Sequence, residues 1–142
     1  MKIYNVVIDT NVIVSALKSR NGFSFKLLTI IDNPKFQINI SVPLILEYEE
    51  VLKREKSKFD LTINEIETII DFICSIGNKK EIYFLWRPFL KDPKDDMILE
   101  LAVESDSEII ITFNTNDFVG VDRFGIKTMT PKEFLITIGE VK

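Results

Sequence analysis

A chain of 142 residues with 46% hydrophobic and 28% charged side chains has the balance of one folded domain, and at this length folding buries roughly two-thirds of the unfolded surface. No apolar run approaches the roughly 18 residues of a membrane span, and Met1-Lys2-Ile3-Tyr4-Asn5 lacks a signal-peptide pattern, so a cytoplasmic domain without membrane contact is expected. Cys74 is the only cysteine and histidine is absent, which excludes an intrachain disulfide, a cysteine zinc site and His-based nucleophile pairs, while the net charge of −4 argues against a uniformly basic nucleic-acid wrapper.

Ile3 to Ile8 is a nearly continuous, β-branched apolar run, the pattern of a strand covered on both faces. Val12 to Lys18 and Phe23 to Ile31 read as helices separated by the Asn21-Gly22 turn, and Pro34 closes the second. Phe36 to Ile40 is the next predicted strand, after which Ser41 and Pro43 open a helix through about Lys53. Ile66, Ile69, Ile70, Ile73 and Ile76 recur at helical spacing between Thr62 and Gly77. Glu81 to Trp86 reads as a short strand or an extended connection. Asp92-Pro93 begins a helix through Glu104, Glu108 to Thr112 and Ile126 to Met129 are the last two strands, and Thr130-Pro131 caps a terminal helix. Strands alternating with helices imply a right-handed, mainly parallel α/β sheet, and with no repeat, linker or low-complexity tract, residues 1–142 form a single domain.

Functional groups in open parallel sheets gather beyond the carboxyl ends of the strands, near the point where strand order reverses. Asp9 follows directly on the first strand, where it serves either as a turn or helix cap, with Thr10 and Asn11, or as a site carboxylate. Asp95 shares a helical stripe with Ile98, Leu99 and Ala102, and a carboxylate among apolar neighbours needs a partner. Asp96 lies at the edge of that stripe, and Asp92 has a sufficient role as cap. Glu47, three residues after Leu44 and four before Val51, borders a buried stripe; Glu49 sits at the opposite border and Glu50 points away. A fourth group comes from the segment Thr112 to Phe118, whose Asn114 and Asp117 either reach the site or make a polar turn. If Asp9, Glu47, Asp95 and Asp117 converge, their repulsion calls for a cation, and an all-oxygen donor set suits Mg²⁺ or Mn²⁺.

At these residues the chain resembles the PIN-domain ribonucleases, particularly the VapC-like branch labelled as the toxin of toxin-antitoxin modules. Val7-Ile8-Asp9-Thr10-Asn11-Val12 is similar to the family's opening strand and first catalytic Asp. Glu47-Tyr48-Glu49-Glu50-Val51-Leu52 resembles its Glu-bearing helix, Asp92-Pro93-Lys94-Asp95-Asp96 its third acidic motif, and Thr112-x-Asn114-x-x-Asp117-Phe118 its closing motif. The resemblance implies a three-layer α/β/α PIN-like domain with a mainly parallel sheet of four to five strands. It also implies Mg²⁺- or Mn²⁺-dependent endonucleolytic cleavage of single-stranded RNA, an antitoxin partner and often a homodimer. Asp9, Glu47, Asp95 and Asp117 then take the catalytic and metal-binding positions, with Asn11, Asp96, Thr112 and Asn114 in support. Two correspondences stay open: Asp95 against Asp96, and Asn114 against Asp117.

Lys53, Arg54 and Lys56 form, with Lys58, the densest basic run and could hold RNA phosphates, as could Lys18 and Arg20, although a solvated charged turn explains the run equally well. Trp86 and Phe89 are a stacking platform, an antitoxin contact or, as is commoner at this aromatic density, core. Two rivals remain. A haloacid-dehalogenase-like phosphatase also places an Asp after the first strand but wants a second Asp where this chain has Asn11. A non-catalytic PIN-like module would bind RNA or protein through the same fold.

Overall fold

The computed structural model describes residues 2–82 and 89–142. In chain order its elements are β1 (Tyr4–Ile8), α1 (Thr10–Lys18), α2 (Phe23–Thr29), β2 (Phe36–Ile40), α3 (Val42–Arg54), α4 (Ile63–Ile76), β3 (Asn78–Lys79), α5 (Pro93–Glu104), β4 (Ile109–Ile111), β5 (Lys127–Met129) and α6 (Pro131–Thr137). Short 3-10 turns occupy Lys56–Lys58, Thr115–Phe118 and Val121–Phe124. The five strands form one sheet in the order β3-β2-β1-β4-β5, and every neighbouring pair is parallel.

That order follows from burial. Successive strand residues point to opposite faces, and Val6, Val7 and Ile8 in β1 and Ile109, Ile110 and Ile111 in β4 are all buried. Both faces of the sheet are therefore covered, which makes three layers and places β1 and β4 at the centre. The chain moves outward from β1 through β2 to β3, returns to β4 on the other side of β1, and moves outward again to β5. The reversal between β1 and β4 is the switch point, and Val6 pairs with Ile109 and Ile8 with Ile111 across it.

Helix starts obey the expected capping chemistry. Ser41 Oγ accepts from Leu44 N at 3.3 Å, Asp92 Oδ1 accepts from Lys94 N at 2.9 Å, and Thr62 and Thr130 each form a reciprocal capping box, with Glu65 and Glu133. Two helices lack such a cap, α2 after Gly22 and α1 after Asp9. α1 begins at Thr10, two residues before the apolar pattern, and the carboxylate of Asp9 at its cap position accepts no capping hydrogen bond.

The edge of the sheet departs from the sequence reading. The third strand lies at Asn78–Lys79, paired with Asn39 and Ile40, and not within the predicted Glu81-to-Trp86 segment. Glu81 and Ile82 belong to no element, and residues 83–88, including Trp86, lie outside the described residues. Both strand residues are polar and exposed, so no apolar run marked them. Gly77 ends α4, but with φ −74° its backbone is open to any residue. Its requirement is space, because a Cβ there would stand 2.8 Å from Ile40 Cδ1. The same close approach lets the chain turn straight into β3. Among the described residues no helix is long and apolar enough to cross a membrane.

Gly77→Ala should therefore overpack the junction of α4 with β2 and destabilise the domain by about 1–3 kcal/mol. Urea unfolding of the two proteins measures this, and equal midpoints would show that Ile40 gives way without cost.

Candidate active site

At the carboxyl end of β1 the chain is fixed by its neighbour. Asp9 N donates to Ile111 O at 2.9 Å, continuing the β1–β4 ladder one residue past the strand. The Asp9 side chain is buried at 7% exposure and its Oδ2 accepts from Thr112 Oγ1 at 2.7 Å. Thr112 Oγ1 in turn accepts from Asn114 N at 3.0 Å. The Asn11 amide spans the same corner, with Nδ2 3.5 Å from Thr112 Oγ1 and Oδ1 3.4 Å from Phe113 N. One threonine thus joins the two central strand ends, turns Asp9 toward the cleft and starts the loop carrying Asn114 and Asp117.

A cleft of about 490 Å³ opens at this point, lined by Asp9, Glu47, Asp95 and Asp117 together with Asn11 and Asn114. The four acids come from the end of β1, from α3, from α5 and from the turn after β4. Glu47 is held by Thr10, whose Oγ1 donates to its Oε2 at 2.5 Å, and it faces Lys94 Nζ at 3.8 Å. Next to Glu47 on α3, the buried Tyr48 hydroxyl donates to the carbonyl of Ile8, which anchors the helix to the end of β1. Glu49 points elsewhere and pairs with Lys53.

The structure separates Asp95 from Asp96. Asp95 is half-buried and lines the cleft, whereas Asp96 is 1% exposed and its Oδ1 accepts from Leu90 N at 2.8 Å and Phe89 N at 3.3 Å. Asp96 thus secures the segment entering α5 and does not line the cleft. The sequence stripe put Asp96 at the edge because it assumed one apolar face. In fact α5 is buried continuously from Asp96 to Ala102, lying against β1, β2, β4 and α3. Of the other expected contacts, Lys53 pairs with Glu49 and Glu67, Arg54 pairs with Glu50, and these two and Lys56 do not line the cleft. The lysines that do are Lys18 and Lys94. Phe89 packs edge-on against Phe124, with ring centres 5.4 Å apart.

Sequence reasoning missed Thr10 as the partner of Glu47, Tyr48 as the anchor of its helix and Lys94 as its counter-ion. Only Tyr48 left a signal: it lies four residues after Leu44 on the buried stripe, and a buried phenol needs an acceptor.

The acids repel one another. Burial pushes the Asp95 carboxyl up to about 7, and the charges of Asp9, Asp92, Asp117 and Glu47 push in the same direction. Asp9 is also raised, chiefly by burial, with relief from the Thr112 hydroxyl and the Thr10 amide and opposition from Glu47 and Asp117. As placed, no three acidic side chains among the described residues stand close enough to enclose one metal ion. The donor set nonetheless fits Mg²⁺, which keeps several waters and is held by one or two carboxylates plus substrate oxygens instead of a complete protein cage.

The family profile described as PIN domain matches residues 5–116. The uncharacterized protein MJ1680 of Methanocaldococcus jannaschii is 30% identical over 142 positions, covering 92% of this chain and 88% of that one. A chain in the crystal structure of VapBC2 from Rickettsia felis, bound to a DNA fragment from its promoter, superposes with a TM-score of 0.62 at 13% identity. That match covers 88% of this chain and 98% of the other.

The raised carboxyls give the fold a pH dependence. Between the ordinary value of 3.8 and about 7, folded Asp95 retains a proton that the unfolded chain has released. Stability therefore falls as pH rises through that window, and Asp9 acts in the same direction. In chelator-treated protein the thermal midpoint should drop between pH 5 and pH 8 from this source, and Asp95→Asn should reduce the drop. An identical drop in the variant would contradict the assignment.

Proposed function

The chain belongs to the PIN-domain family, a family of nucleases, and from that premise we propose that it is a Mg²⁺- or Mn²⁺-dependent endoribonuclease that cleaves single-stranded RNA as the toxin of a toxin-antitoxin pair. The observation that carries the reading is the convergence of Asp9, Glu47, Asp95 and Asp117, from four separate parts of the chain, on one cleft at the sheet's switch point. These four would hold one or two ions. When bound, a divalent ion supplies a water of lowered pKa and offsets the charge developing on the phosphodiester.

The chain's own residues supply placement. Thr112 holds Asp9 in one orientation, Thr10 holds Glu47, and the Tyr48 hydroxyl ties α3 to the strand end between them. Asp117 sits exposed at the mouth, where it is free to meet an ion or a substrate-bound water. With the Asp95 carboxyl pushed up to about 7, an ion held there would displace a proton, and ion affinity would rise with pH. Asn114, whose amide leans on Thr112, shapes the loop and offers an uncharged oxygen to the same cleft.

The VapC-like resemblance of the four motifs and the likeness to a chain of the VapBC2 structure support the toxin reading. An antitoxin covering the cleft and a homodimer belong to the same proposal. The phosphatase alternative has lost ground, since Asn11 is engaged with Thr112 and Phe113 N, where that chemistry wants a second free carboxylate.

Asp9→Asn preserves the acceptor for Thr112 while removing the charge. It should lower metal-stimulated cleavage of a single-stranded RNA by roughly a hundredfold or more without lowering the thermal midpoint. Chelation of the wild-type protein should have the same effect, reversed by added Mg²⁺ or Mn²⁺. Wild-type protein that binds no Mn²⁺ and cuts no RNA would favour the binding-module reading instead.

A further inference from the structure

An acidic cleft is a poor place to bring a polyanion. Among the described residues, six acidic side chains line it, namely Asp9, Glu47, Glu55, Asp92, Asp95 and Asp117, against two lysines, Lys18 and Lys94. The two lysines are not equivalent. Lys18 lies 3.6 Å from Glu55, an acid that also holds Lys58 at 3.2 Å. Lys94 faces Glu47, one of the four converging acids, at 3.8 Å, and its side chain is 65% exposed while that of Glu47 is 13% exposed.

The backbone of Lys94 is fixed even though its side chain is not. Pro93 occupies the first turn of α5, and Asp92 Oδ1 accepts from Lys94 N at 2.9 Å. The helix start thus delivers a long, exposed ammonium arm over the cleft and, one residue later, the half-buried Asp95 carboxylate into it. At 3.8 Å with one partner largely in water, the Lys94–Glu47 pair is loose and weakly stabilising.

We propose that Lys94 is the substrate-phosphate ligand of this cleft, exchanging its loose contact with Glu47 for an RNA phosphate oxygen when substrate is bound. The proposal rests on the nuclease reading above and deepens it, by naming the residue that holds the substrate.

The test measures metal-dependent cleavage of one single-stranded RNA by wild-type protein and by Asp9→Asn, Lys94→Met and Lys94→Arg, across a range of salt concentrations. Lys94→Met should raise KM by about tenfold with a smaller change in kcat, and should reduce the slope of log KM against log salt by about 0.7, the loss of one contact to a single strand. Lys94→Arg, which keeps the charge, should recover most of both. A purely structural ion pair with Glu47 would lower the thermal midpoint and leave the salt slope alone. If wild type cuts, Asp9→Asn does not, and Lys94→Met matches wild type in KM and salt slope, the Lys94 assignment is wrong and the nuclease reading stands. If wild type cuts no RNA, both are wrong.

Discussion

The contact on which the site depends is the parallel pairing of β1 with β4, extended one residue beyond both strands. Asp9 N reaches Ile111 O, and Thr112 Oγ1 reaches Asp9 Oδ2 at 2.7 Å. Both strands are apolar on both faces, and the buried run Val6 to Ile8, paired with Ile109 to Ile111, leaves Asp9 just beyond the strand end. The site's first acid is thereby located by hydrophobic packing several residues away. Thr112 then passes that precision to the next loop through Asn114 N.

The remaining acids reach the cleft by different devices. Glu47 depends on α3, which is capped by Ser41 and pinned to β1 through Tyr48. Asp95 depends on α5, which is anchored by burial along its length and by the hold of Asp96 on Leu90 N and Phe89 N. Two adjacent aspartates therefore do opposite work: one accepts two backbone amides at its Oδ1 and secures the entry to the helix, while the other is left in a partly desolvated, repulsive field. Such repulsion is a cost to the fold that a bound cation removes. The molecule tolerates it because the core beneath, built from β1, β4 and α5, is continuous and apolar.

Much of this was legible in the sequence. The β-branched runs ending at Ile8 and Ile111 and the caps at Ser41, Asp92 and Thr130 are local signals, and local physics produced them. Asp9, Glu47 and Asp95 stood out because each broke or bordered an apolar pattern. The misses share a cause. Asn78–Lys79 pairs through its backbone at a polar sheet edge, so its side chains carry no strand signal. Asp96 was misplaced because α5 is buried around most of its circumference, and periodicity distinguishes faces only when one of them meets water. The basic run after α3 stands out by density alone, yet its residues do not line the cleft, and Lys53 and Arg54 make surface ion pairs with Glu49, Glu67 and Glu50. Lys94 was hidden inside an acidic motif, since its relevance depends on facing Glu47 across a fold that brings residues 47 sequence positions apart together.

Binding of a divalent cation by the acids of the cleft at the end of β1 is tested by anomalous diffraction from a crystal soaked in Mn²⁺. A peak is expected in the cleft within coordinating distance of Asp9 and at least one of Glu47, Asp95 and Asp117, abolished by Asp9→Asn. A saturating soak that leaves the cleft without a peak, or places manganese only on surface acids such as Glu50 or Glu67, would contradict it.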